Sequence, residues 1–192
     1  MDEGLYKFLK WTAIALALGW VGWSIYDSFV VQRAPGDFAF HEAETFFEDG
    51  AYDRAIAHYD RAIEEDPQHI HAMRGRARAL LKSERYDQAL EQFDIVIGLD
   101  PDLGATYANR GIVHDRLGHY ETAIADYEKA LSLDPELEEG PHWLTRFLRN
   151  QPEKPQGIGD RARYLRAELA KPPGERLLRV PELDEEQRSY KQ

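Results

Sequence analysis

Three patterns of apolar and polar positions divide the chain. Between residues 11 and 26 there is no charge (WTAIALALGWVGWSIY), and apolar side chains surround the helical projection instead of forming a stripe. Carried on to residue 31, the run is 21 residues long. At about 1.5 Å per residue it reaches about 31 Å, the thickness of a bilayer's hydrocarbon core. Trp11, Trp23 and Tyr26 stand where interfacial aromatics are expected, with Asp27 near the far interface. Residues 1–35 are therefore expected to form a membrane anchor with its span at 11–31.

From residue 36 the pattern becomes amphipathic and periodic. Asp66-Pro67, Asp100-Pro101 and Asp134-Pro135 recur every 34 residues. Counting back from each proline, small apolar residues return at Ala62, Val96, Ala130 and at Ala55, Ala89, Ala123. Aromatics return at Tyr59, Phe93, Tyr127 and at Tyr52, Tyr86, Tyr120, and Ala43, Ala77 and Gly111 stand further upstream. Spacings of i, i+4 and i+7 predict helices with one apolar stripe. Each 34-residue unit then reads as two helices. Gly50 and Gly118 are placed to end the first helix in a left-handed turn, and the proline marks where the second must stop.

At these positions the chain resembles the tetratricopeptide repeat family, in three units of 36–69, 70–103 and 104–137. The third, NRGIVHDRLGHYETAIADYEKALSLDP, fits the pattern best. The departures are Glu42, Arg76 and Arg110 in place of the usual Leu, and His114 in place of a large apolar residue. The expected fold class is an all-α helical-hairpin solenoid of three repeats plus a cap helix, with one N-terminal transmembrane helix. The resemblance implies a non-catalytic module for protein–protein interaction and assembly.

A stack of such units needs a polar-faced cap at its end. Residues 138–150, with Trp143 and Phe147, Leu144 and Leu148 at i, i+4, are expected to supply it. Residues 151–159 (QPEKPQGIG) break the pattern. In the basic tail, 151–192, a short helix is expected over 160–170 with Asp160 as its N-cap. Two readings of this tail stand: it folds back on the acidic repeats, or it docks on a partner or on anionic lipid.

Charge sharpens this division. The net charge of −11 is made of 0 over residues 1–35, −12 over 36–137 and +1 over 138–192. An acidic chain is a poor nucleic-acid binder, since counterion release needs a basic face. With no Cys, disulfides, thiolate zinc sites and cysteine catalysis are excluded. No nucleophile elbow, Walker loop or dinucleotide fingerprint occurs, and Gly157-Ile158-Gly159 lacks the strand-turn-helix setting. Neither an enzyme, a cofactor nor a metal is expected, and His69 with His71 is a pair lacking a third ligand.

Lys7 and Lys10 precede the span and only Arg33 follows closely. The positive-inside rule then puts the repeats on the periplasmic side of a bacterial-type inner membrane, with repeats facing the cytoplasm as the alternative. A cleaved signal peptide is the rival of an anchor. Asp2, Glu3 and the long Trp-rich run favour the anchor.

The remaining signal is cationic. Arg74, Arg78 and Lys82 form a stripe at i, i+4, i+8 beside the packing stripe Met73, Ala77, Leu80. Like charges so spaced disfavour an isolated helix by about 0.2–0.5 kcal/mol per pair, so a compensating group is expected. The family resemblance puts this stripe on a concave groove that holds extended peptides, along with Asn109, Asp115, Arg116, Arg146 and Arg149. The expected partner-binding residues are Arg74, Arg78, Lys82, Asn109, Arg116 and Arg146. The structural alternative is that Glu44 and Glu48 pair with Arg78 and Lys82 across the repeats. The function expected is that of a membrane-anchored adaptor for a protein partner, in assembly or stabilisation of a membrane complex. A permanent accessory subunit of such a complex is the alternative.

Overall fold

The computed structural model describes residues 2–29, 34–138, 157–180 and 189–190. Within these the structure is helical, with eight α-helices, two 3-10 turns and no strand among the described residues.

The first helix, α1, runs Glu3–Phe29. Its segment Glu3–Asp27 is long and apolar enough to cross a membrane by length and composition, and its apolar window is not buried by the other described residues. Trp11, Leu16, Trp20 and Trp23 are exposed.

Six helices follow in three hairpins: α2 (Asp37–Glu48) with α3 (Tyr52–Glu65), α4 (Ile70–Lys82) with α5 (Tyr86–Leu99), and α6 (Gly104–Leu117) with α7 (Tyr120–Leu133). Each second helix ends where the Asp-Pro dipeptide demands it. A proline disfavours α conformation in the residue before it, and Asp66, Asp100 and Asp134 are extended, at φ −138°, −138° and −143°. Asp66 and Asp134 then take the backbone N–H of Gln68 and Glu136 on a side-chain oxygen, at 2.9 and 3.0 Å.

The turn inside each hairpin needs a left-handed residue. Gly50 (φ 75°) and Gly118 (φ 80°) supply it in the first and third units. The same place in the second unit holds Glu84 at φ 61°, the one non-glycine residue with positive φ among the described residues.

Packing follows the period read from the sequence. Ala55, Tyr59, Ala62, Ala89, Phe93, Val96, Ala123, Tyr127 and Ala130 are all buried. Gly111 has a steric reason: a Cβ there would meet the Tyr127 ring at 2.7 Å. Helices α2, α4 and α6 pack on one another in turn, closer than α3, α5 and α7 do. The stack therefore curves, with α2, α4 and α6 on its concave side.

The departures from family pattern form a polar ladder. Arg76 donates to Asp60 of the preceding unit (2.5 Å) and to Gln92 of its own (2.7 Å). Arg110 repeats this one period later, bonding Asp94 (2.7 Å) and Asp126 (2.6 and 2.8 Å). Glu42 meets His58 at 3.0 Å in the first unit. Hydrogen bonds to Asp126, the leading cause, hold the Arg110 pKa above its ordinary value.

Residues 139–150, where the cap is expected, lie outside the described residues. Among the described residues, the helix packed on α7 beyond the third unit is α8 (Ile158–Leu169), with Ile158, Ala162 and Leu165 buried. It was expected to start on Asp160 as N-cap. Instead Gly157 caps it, and Asp160 sits inside the first turn with Oδ2 accepting the Gly157 N–H at 3.3 Å. Arg161 fixes the helix in place with two bonds to Asp115 of α6 (2.7 and 2.8 Å), a pair 5% and 4% exposed. On the outer face Arg166 pairs with Glu128, which is one period beyond Asp60 and Asp94. So α8 takes the place of a fourth unit's first helix and completes the ladder.

The tail folds back on this cap. Glu168 accepts the Leu177 N–H (2.8 Å) and the Lys171 ammonium (2.5 Å), and these bonds hold its carboxyl below the usual range. Tyr164 donates to the Leu177 carbonyl (2.7 Å), and Arg161 to that of Leu178 (3.1 Å).

Candidate functional site

The helical period brings the first helices' inward residues to one surface. Arg74, Arg78 and Lys82 follow each other down α4, and Asn109 and Arg116 lie two turns apart on α6. Arg146 and Arg149 lie outside the described residues.

These residues divide by what holds them. Arg78 is 8% exposed. Its Nη1 lies 3.7 Å from Glu44 Oε1, and its guanidinium stacks 4.4 Å from the Phe47 ring centre. Glu44 also accepts the Tyr59 hydroxyl at 2.5 Å. Burial first, and that bond second, push the Tyr59 phenol pKa up. Arg78 therefore joins two units. Asp115 likewise is taken by Arg161 and, at 3.2 Å, by the Tyr127 hydroxyl, so it serves packing and does not face a ligand.

Arg74 and Lys82 are half-buried and keep the groove positive. Arg74 Nη2 is 2.9 Å from His71 Nδ1, and burial lowers the pKa of both residues. Lys82 is also lowered, by burial and then by the nearby cations Arg116 and Arg78. Neither Lys82 nor Arg116 has an ion pair with a described residue. A cluster of cations in a concave surface attracts a segment bearing carboxylates.

Two cavities lie along the groove. The first, about 260 Å³, is lined by Phe40, Glu44, Arg74, Arg78, Thr106 and Asn109, among others. Arg78 Nε and Thr106 Oγ1 are buried there with no hydrogen-bond partner among the described residues. The second, about 220 Å³, is lined by Lys82, Glu84, Tyr86, Ile112, Arg116 and Ser189.

Asn109 stands at the centre, 2% exposed. Its Nδ2 donates to Ala105 O within α6 (2.9 Å) and to the carbonyl of Tyr190 (2.9 Å), while its Oδ1 accepts the Tyr190 N–H (2.8 Å). One carboxamide thus satisfies both backbone groups of one residue from elsewhere in the chain. Thr106, His71 and Tyr190 carry no signal in the sequence that would place them here. Residues 106 and 71 read as ordinary helix positions, and residue 190 lies 81 residues from its partner.

Two histidines, His69 and His114, serve the packing of the repeats. His69 Nδ1 caps α4 by accepting the Ala72 N–H at 3.2 Å. His114 is half-buried beside Asp126, and burial lowers its pKa. Among the described residues no three His, Asp or Glu side chains gather as a metal site.

A curved stack of helix hairpins with a concave polar groove is an α-solenoid. Residues 46–109 and 104–137 each match a family model of the tetratricopeptide repeat, and the chain belongs to that family, a module of protein–protein interaction. No curated protein matches the chain in sequence. Among solved structures, the first repeat domain of Spaghetti (RPAP3) bound to the HSP90 peptide SRMEEVD is 25% identical. Its TM-score is 0.52, over 63% of this chain and 93% of that one. The second repeat domain of Spaghetti, bound to the same peptide, is 31% identical, with TM-score 0.50 over 52% and 93%. The Sgt2 repeat domain from Aspergillus fumigatus shares the fold at 20% identity, with TM-score 0.54 over 72% and 88%.

Proposed function

We propose that this protein is a membrane-tethered adaptor whose concave groove holds an extended segment of a protein partner, in the assembly or stabilisation of a membrane protein complex. The observation that carries the reading is the Asn109 carboxamide. It pairs with the N–H and the C=O of a single residue, Tyr190, which is recognition of backbone independent of side chain. The cations Arg74, Lys82 and Arg116 flank it and give the groove a preference for an acidic segment. The Spaghetti repeat domains hold an HSP90 peptide containing two glutamates and an aspartate, which supports the same class of ligand for this groove.

The membrane half of the proposal rests on α1, whose uncovered apolar surface is stable in a bilayer and costly in water. Lys7 and Lys10 ahead of it put the repeats on the periplasmic side. Anchoring confines adaptor and partner to one surface and raises their effective concentration.

The test is affinity capture from gently solubilised membranes with the wild-type chain and with Lys82→Ala/Arg116→Ala. The expected result is a membrane-associated partner retained by the former and lost from the latter, at unchanged thermal stability. A partner retained equally by both would sink the groove assignment. Protease added to spheroplasts is expected to digest the repeats, and their protection would reverse the orientation.

A further inference from the structure

In this structure Ser189 and Tyr190 of the same chain occupy part of the groove. Tyr190 is 5% exposed and joins the apolar core. Its backbone makes two of the three hydrogen bonds of Asn109, it lines the first cavity, and Ser189 lines the second.

The segment leading to it is anchored upstream as well. Leu177 and Leu178 are bonded to α8, and Arg179 Nη2 donates to the Arg116 carbonyl at 2.6 Å, at the rim of the second cavity. Between these two fixed points the sequence reads PELDEEQR, with carboxylates at Glu182, Asp184, Glu185 and Glu186 and one base, Arg188.

We infer that Ser189 and Tyr190 are an intramolecular ligand of the groove, which a partner must displace in order to bind. The inference rests on the groove being the partner-binding surface. Tethering makes such a ligand effective even when its contacts are few. A short linker gives an effective concentration of about 1 mM. A tail with an intrinsic Kd of about 10 μM would then leave about 1% of grooves open, and a partner's apparent affinity would fall about 100-fold. The tail also describes the partner that can compete: an acidic stretch followed by an aromatic residue whose backbone pairs with Asn109.

The experiment uses the detergent-solubilised chain and a fluorescent synthetic peptide of residues 181–192, read by anisotropy. Chain ended after Val180 is expected to bind the peptide, and full-length chain to bind it at least tenfold more weakly. Asn109→Ala in the shortened chain is expected to weaken binding at least fivefold. In the full chain, Tyr190→Pro removes the N–H that Asn109 accepts and is expected to open the groove without truncation. Absence of binding to both the shortened chain and Tyr190→Pro would overturn the inference, as would equal binding by shortened and full-length chains or equal binding of a scrambled peptide. Occlusion that disappears on dilution would assign the tail to a second copy and overturn the intramolecular arrangement. Capture of a partner by a shortened chain that ignores the tail peptide would remove this inference alone. Tight tail binding with no partner captured by any form would remove the adaptor reading and leave the self-ligand standing.

Discussion

Glu84 occupies the turn position that glycine fills in the other two units, at φ 61°. A side chain in the left-handed region costs about 1–2 kcal/mol, part of which the greater freedom of an unfolded glycine cancels. Glu84→Gly is expected to stabilise the protein by about 1 kcal/mol and Gly118→Ala to destabilise it by a similar amount, read from urea denaturation midpoints. Opposite signs are the point, and a destabilising Glu84→Gly would contradict the account. Buried charge sets a larger scale. Arg161→Ala leaves the Asp115 carboxylate, 4% exposed, without its cation. Breaking such a pair from one side costs about 3–5 kcal/mol, whereas removing an exposed partner costs about 0–1. His114 adds a pH dependence of definite sign. Burial lowers its folded pKa below the ordinary 6.5, so the folded state favours the neutral ring. Its contribution is complete above about pH 6.5 and is lost as pH falls through the lower folded value. His114→Gln is expected to flatten the loss of stability below pH 6.5, measured as denaturation midpoint against pH.

At the scale of elements, the ladder of Arg76 and Arg110 is more than a set of surface bridges. Arg110→Leu restores the family's usual residue and yet is expected to destabilise. Asp126, with only 6% of its side chain exposed, would lose its two bonds to Arg110 and keep only the distant His114. A neutral or stabilising Arg110→Leu in urea denaturation would refute this. These arginines also mark the limit of what the sequence makes legible. Helices α2 to α7, their stops at Asp-Pro and their buried Ala and aromatic positions follow from local spacing alone, because backbone restriction and the helical period act within a few residues. The pairing of Arg76 with Asp60 and of Arg110 with Asp94 does not, since it is decided by which helices become neighbours. The same holds for α8. A short helix near residue 160 is legible, but its service as cap depends on Arg161 meeting Asp115 across 46 residues. In the groove, the cationic stripe and Asn109 were legible as types, and the division of Arg78 to structure and Arg74 and Lys82 to the open surface required the position of Glu44.

For the whole molecule, α8 closes a stack that would otherwise expose the face of α7. A chain ended before residue 157 is expected to lose solubility and unfold at lower denaturant, because Ile124, Tyr127 and the rest of that layer lose their cover. A chain lacking residues 1–29 is expected to leave the membrane fraction on cell lysis, and its persistence there would transfer the anchoring role from α1 to the repeats. The ladder has a further consequence for how such a chain can change length. The second unit presents Arg76 to the acid before it and Asp94 to the arginine after it, so its two edges are complementary to each other. A tandem duplication of residues 70–103 would therefore bring its own matching contacts at the new junction: the inserted copy's arginine would find Asp94, and the inserted acid would find Arg110. The interface is written as a self-compatible address, which lets the gene gain a unit in one recombination event without any compensating substitution.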